Sequence, residues 1–394
     1  MFRRIKKIWY YLCYFTNARK IWSWPKQSEV LIYDACNQHI LMEYLGSWNP
    51  EVLYVRGEQI NVLVLLSCFF GNQKKSDAYI DCFIKRVCPR LVVTFIDNGV
   101  SFYRISQRNP EVKTLFIQNG WRVYFADIFE VLDKLEPEYN SSLAVDYMAV
   151  FGDCVGDEYR RYIQGGTVPI GSIKNNFIPK RELPRRGVLT FLSQWQPDGM
   201  CVGDTFYSHE DYFGQADRLI INCLVSYAEK TNKLFMIVPR YRKDSDSRAR
   251  EEVYFRGLVG SDPEYIDMDG LYPSYQAADA AEVVVGVDTT LVYESIARGN
   301  KTAIFSIRTA LLGVSSFTYG WPGDFANEGP FWTNNPDPDS FVRVLDYLFE
   351  VDDAQWREDV RASNFSSILA YDPGNTILKS TLEKALGAPT VSEN

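Results

Sequence analysis

The chain is poor in histidine. Its 394 residues include two, His39 and His209, which restricts any mechanism built on imidazole. Its eight cysteines are scattered, with no Cys-x-x-Cys pair and no zinc spacing, so the expectation is reduced thiols in a cytoplasmic protein. Excess positive charge is also lacking. A net charge of −8 argues against a general nucleic-acid binder. The apolar run near the start, residues 8–15, falls far short of the roughly 20 residues that span a bilayer. No small-residue cleavage site follows it, which argues against a signal peptide. Internal repeats and low-complexity segments are missing as well.

What is present is length for two ordinary domains and 46% hydrophobic residues to fill their cores. The 15% of aromatic residues suits stacking against the apolar faces of sugars, and equally suits large cores. Residues 1–27 stand apart. They carry Arg3, Arg4, Lys6, Lys7, Arg19, Lys20 and Lys26 among Phe2, Ile5, Ile8, Trp9, Tyr10, Tyr11, Leu12, Tyr14, Phe15, Trp22 and Trp24. Two readings fit: a basic aromatic helix in the headgroup region of an anionic membrane, or a helix packed on the protein's own surface.

Behind this segment, buried-strand patterns alternate with helical ones. Strands are expected at residues 29–34, 52–56, 91–96, 114–117 and 147–151, and helices around 38–45, 78–87 and 157–162. Residues 62–70 fit either state. Polar residues follow the strand ends, which implies a parallel sheet of Rossmann type. Residues 179–186, PKRELPRR, are the best linker. A second series follows: strand 187–192, a long polar-aromatic loop 195–213, helix 217–230 and strand 233–238. Helices at 341–349 and 354–362 close it, and residues 387–394 read as a frayed tail. The expected division is an N-terminal segment 1–27, a first Rossmann-like domain 28–180, a second 187–340, and C-terminal helices and tail 341–394.

The most informative stretch is residues 272–307, YPSYQAADAAEVVVGVDTTLVYESIARGNKTAIFSI. It reads as helix, strand, tight turn, helix, strand. Asp288, Thr289 and Thr290 fall where the strand 282–287 ends and a helix begins, at the carboxyl edge of a parallel sheet. The helix start favours a phosphate, and Glu294, one turn on, could accept from ribose hydroxyls. An ordinary βαβ unit with Asp288 as its N-cap is the plainer alternative.

Within that stretch, GVDTTLVYESIARGNKTAIF resembles the donor-nucleotide motif of GT-B type transferases of bacterial surface polysaccharide, among them capsule Kdo transferases and CDP-glycerol phosphotransferases. Over nearly its whole length the chain resembles the surface carbohydrate biosynthesis protein family. The resemblance implies an α/β fold of two Rossmann-like domains facing a cleft, with C-terminal helices crossing back onto the first. It implies a glycosyltransferase that moves a sugar, Kdo or a related acidic sugar, from a nucleotide-activated donor to a growing surface polysaccharide. The rival readings are a polyol-phosphate transferase using a CDP-alcohol, a nucleotide-sugar epimerase of the same architecture, which would not need a membrane-facing N-terminus, and a catalytically inactive scaffold. The expected partners are a nucleotide-activated sugar, a glycan or lipid-linked acceptor and the inner face of the cytoplasmic membrane. Neither a cofactor nor an essential metal is expected, since the nucleotide-sugar is a substrate.

Such a transfer needs a phosphate cradle, a nucleoside pocket and a base for the acceptor. Asp288, Thr289 and Thr290 are candidates for the cradle, joined by Arg240 and Arg242 behind the strand 233–238. The related transferases often have a histidine in that basic cluster, and this chain lacks it. Ser172, in a turn resembling the interdomain turn of the family, is a further donor-side candidate. For the base, Asp97 follows the clearest strand, ahead of Asp34 and Glu58 at other strand exits; the alternative is an Asp that caps a turn. His209 with Glu210 is the other acid–base option. Asn119, Trp121 and Arg122 follow the strand 114–117 and could meet an acceptor. The triplets Asp267-Met268-Asp269 and Asp337-Pro338-Asp339 match a metal-binding DxD only superficially, because their loops lack the right context.

Overall fold

The computed structural model describes residues 16–70, 77–135, 143–180, 184–202, 205–267, 269–270 and 272–387. The expectations for residues 1–15 and 388–394 lie outside it. Within it, buried β-branched runs assemble two six-stranded parallel sheets. The first orders β3 (Glu51–Leu53), β2 (Val30–Tyr33), β5 (Leu91–Thr94), β6 (Lys113–Ile117), β7 (Ala144–Val150) and β8 (Gln164–Pro169) side by side. The second orders β13 (Glu264–Tyr265), β12 (Leu234–Val238), β9 (Arg185–Leu192), β14 (Ala281–Gly286), β15 (Thr302–Phe305) and β16 (Trp332–Thr333). Strands such as β2, β5 and β15 are buried at every position, as sheets covered on both faces require. A separate parallel pair joins β1 (Arg19–Ile21) to β4 (Gln59–Asn61).

Residues 62–70, which fit either state, are a helix, Val62–Phe70. The structure differs from the sequence reading in a few other elements. The edge strand β8 escaped notice because QGGTVP is poor in strand formers, and an edge tolerates such residues. A helix at Asp246–Val259 was also unread. The long loop holds the antiparallel hairpin β10 (Met200–Val202) and β11 (Thr205–Tyr207), then a π-helical turn, Glu210–Gly214, leading into the helix Gln215–Thr231.

The chain does cross back. Leu378, Leu382 and Leu386 of the helix Thr376–Leu386 pack with Val30, Ile32, Leu91 and Val93 of the first sheet. The returning segment is tied on as well. Ala370 N donates to Phe151 O at 2.8 Å, and Asn375 Nδ2 donates to Ile173 O at 2.9 Å. Gly171 permits this contact, because its φ is +71° and a Cβ there would run into the Ala370 carbonyl. Among the described residues no helix is long and apolar enough to cross a membrane.

Candidate active site in the interdomain cleft

The second sheet reverses its winding between β9 and β14, and a crevice opens at the carboxyl ends of strands at such a point. Four strand exits converge there. Ser193 and Gln194 follow β9, Pro239 and Arg240 follow β12, Asp288 and Thr289 follow β14, and Arg308 follows β15. With Trp121 and Val123 of the first domain they line a cavity of about 460 Å³. Two chambers adjoin it. One of about 580 Å³ is bordered by Arg240, Arg242, Lys243, Asp267 and Asp269. The other, of about 390 Å³, is bordered by Asn119, Lys174, Tyr275, Thr290 and Glu294. Ser274 touches all three.

The central cavity is built from charge. Asp288 is buried and accepts from Arg308 Nε at 3.0 Å, from Arg308 Nη2, and from Gln194 Nε2 at 3.3 Å. The Arg308 guanidinium lies over the rings of Tyr212, Phe213 and Phe317, 4.1–4.7 Å from their centres. Its Nη1 is buried without a hydrogen-bond partner. Thr289 opens the helix Thr290–Ala297 with no side chain on its first amides. Arg240, exposed at the rim, donates through Nη1 to Gln194 O at 3.1 Å. The loop that carries it is fixed by Glu251, a fully buried carboxylate that accepts from Arg240 N at 3.0 Å, Tyr241 N at 3.2 Å and the Ser193 hydroxyl. Burial pushes the Glu251 carboxyl above its ordinary range, and these donors pull it part of the way back.

The first domain reaches this cavity through Trp121. Its backbone N–H donates to Thr290 Oγ1 at 2.8 Å, and its ring stacks on Tyr293 at 3.8 Å and 9°. Asp97 holds that loop from behind. It accepts from Arg122 Nε at 2.7 Å, from Arg122 Nη2, from Tyr159 Oη at 2.6 Å and from Asn119 N at 3.1 Å. The expectation that Asp97 presents a base to the cleft is therefore corrected: it is 0% exposed, and its oxygens are taken by the protein. Arg122 is likewise buried in this pair, away from an acceptor. Asn119 borders the third chamber, where its Oδ1 accepts from Arg122 Nη2 at 2.6 Å.

Glu294 is corrected too. It is 3% exposed, and its two oxygens accept from Ser172 Oγ and, at 2.8 Å, from Tyr275 Oη, so its first role is to hold the two domains together at the edge of the third chamber. Ser172 thus ties the first domain to the second and also caps the helix Ile173–Phe177. Arg298 adds to this seam, binding Asp279 within its own domain and the carbonyls of Asn175 and Ile178 across it. His209 and Glu210 do not line the cleft. His209 is buried against Phe213 with its Nε2 3.0 Å from Asp217, whereas Glu210 pairs with Arg218 at the surface. Among the described residues no group of three or more His, Cys, Asp or Glu is placed to hold a metal.

The sequence reading missed Arg308, Glu251 and Tyr275. Arg308 had a signal, a lone cation at the exit of a buried strand, one residue past the stretch singled out. Glu251 had none, since only the tertiary fold brings it beneath two strand exits.

Two Rossmann-like domains around such a cleft define a GT-B type fold. A family model described as "putative O-antigen biosynthesis protein" matches residues 115–386, more than half of the chain, and the chain belongs to that family. No curated protein sequence matches it. Among solved structures it is similar to the UDP-GlcNAc 2-epimerase of Neisseria meningitidis, at 11% identity and a TM-score of 0.51 over 90% of this chain and 99% of that one. It is similar to sucrose-phosphate synthase of Thermosynechococcus elongatus, at 14% identity and a TM-score of 0.47 over 92% and 99%. The wall teichoic acid polymerase TagF gives 9% identity and a TM-score of 0.46 over 91% and 88%. At these identities the likeness is one of fold.

Proposed function

We propose that the protein is a glycosyltransferase of surface-polysaccharide assembly, moving a sugar from a nucleotide-activated donor to a glycan or lipid-linked acceptor without an essential metal. One observation carries this reading: Arg240, Arg308 and the uncapped start of the helix Thr290–Ala297 converge on one cavity at the switch point of the second sheet. Membership of the O-antigen biosynthesis family supports it. In the reaction, the bond from the anomeric carbon to the donor phosphate breaks. The acceptor oxygen bonds to that carbon, and its proton leaves for the medium or a base. The charge that develops on the phosphate is offset chiefly by the Arg240 guanidinium and the helix amides of a partly enclosed site, since Asp288 already neutralises Arg308. Trp121 covers the cavity from the first domain and limits water at the reacting carbon.

The test is to incubate the full chain with CMP-, UDP-, GDP- and dTDP-sugars, with and without lipid-linked glycan, and measure released nucleotide. The expected result is release from one donor class that depends on the acceptor. No acceptor-dependent release from any donor, with nucleotide still bound, would contradict transferase activity and leave a binding protein.

A further inference from the structure

The corner where the chain enters its first domain carries an unusual surface. Just beyond β1, Trp22 is 67% exposed and Trp24 45% exposed. The backbone that carries them is fastened. Asn61 donates to Ser23 O at 2.8 Å, and its Oδ1 accepts from Val64 N at 3.1 Å inside the helix Val62–Phe70. That helix turns Leu66, 43% exposed, to the outside. Cations surround the rings. The Arg86 guanidinium sits 4.6 Å from the Trp24 ring centre, and Arg19, Lys26 and Lys85 are exposed. Residues 16–27 contain Arg19, Lys20 and Lys26 and no carboxylate. The sequence leading into them adds Arg3, Arg4, Lys6 and Lys7, again without a carboxylate, in a chain whose net charge is −8.

Large apolar side chains held outward on a rigid frame mark an interaction surface. Tryptophan, with an apolar ring and a polar N–H, is at its best at the headgroup level of a bilayer. The cations around it, with Glu51 set against Lys26, leave an excess of positive charge that fits a negatively charged surface. We propose that this corner, formed by Trp22, Trp24, Leu66, Lys26 and Arg86, docks the protein onto an anionic lipid bilayer. The inference stands independently of glycosyl transfer.

The test is flotation of the full chain with vesicles of phosphatidylcholine alone and of phosphatidylcholine mixed with phosphatidylglycerol. The wild type floats with the mixed vesicles and not with the neutral ones, and added salt releases it. Trp22→Ser with Trp24→Ser weakens binding by about tenfold. Lys26→Ala weakens it by about fivefold, and it serves as the second variant should the double substitution fail to fold. A wild type that stays unbound with both vesicles, or binds both equally, overturns the proposal. So does a folded double tryptophan variant that floats like the wild type. A wild-type dimer that the double variant converts to monomer would overturn it as well, making the corner a contact between copies.

Discussion

Asp97 and Asp288 are carboxylates at strand exits, Glu294 lies one turn into a helix, and each is taken by a partner inside the protein. Asp97 holds Arg122, Asp288 holds Arg308, and Glu294 holds Ser172 and Tyr275. Removing one partner of a buried pair leaves the other charge uncompensated. Asp97→Asn should therefore cost about 3–5 kcal/mol of stability, measured by urea unfolding. A variant as stable as the wild type but inactive would instead return Asp97 to a chemical role. Glu294 predicts a pH effect. Burial raises its carboxyl above the ordinary 4.5, opposed by the Ser172 and Tyr275 hydroxyls. A group raised on folding adds stability while protonated, and the contribution is lost as pH rises through its folded value. Glu294→Gln cannot ionise, so it should gain on the wild type as pH rises through and above the ordinary carboxyl range. Unfolding midpoints whose difference stays constant across that range would contradict this. The sequence shows such carboxylates but not their partners. Arg122 reaches Asp97 from another strand exit, and Ser172 reaches Glu294 from another domain.

Among the elements, those with strong patterns were legible. The β-branched runs of β2, β5, β9 and β14 and the helix after Asp288 were readable because burial on both faces demands continuous apolar residues. The helix Asp246–Val259 was not: its buried residues are Arg248, Glu251 and Phe255, which do not form an apolar stripe. Yet its Glu251 fixes the loop bearing Arg240. Glu251→Ala removes the acceptor of two backbone amides and a hydroxyl and should cost about 1–3 kcal/mol. It should also weaken nucleotide binding, because the Arg240 loop is no longer held. Calorimetry on the folded variant checks this, and unchanged affinity would separate Glu251 from the site. The long loop was legible as a loop, but its hairpin and the aromatic cage of Phe213 and Tyr212 under Arg308 come from tertiary contacts.

At the scale of the whole molecule, the two domains meet through Trp121 on Thr290, Ser172 on Glu294, and Arg298 on Asn175 and Ile178. The chain closes this seam by returning along Gly171. Gly171→Ala forces a Cβ into the Ala370 carbonyl at a positive φ and should destabilise by more than about 1 kcal/mol. A thermal midpoint equal to that of the wild type would contradict the tight crossing. The two-domain arrangement and the crossing helix were legible through resemblance to a family, and the donor-side turn through local pattern. Three chambers meeting at Ser274 were not, because they depend on how both halves are set against each other.

The claim that the cleft at Arg240, Asp288, Thr290 and Arg308 holds a nucleotide is tested most directly by binding. CMP, CDP, UDP, GDP and dTDP would be titrated onto the wild type and onto Arg240→Ala, whose exposed side chain can be lost without harm to the core. One nucleotide at about 100 times its Kd should stabilise the wild type by about 2.7 kcal/mol, a rise of a few degrees in Tm. Arg240→Ala should weaken that nucleotide by about tenfold through loss of a charge-assisted hydrogen bond. A folded wild type that responds to none of the five, or a variant that binds as tightly as the wild type, would contradict the assignment of this cleft.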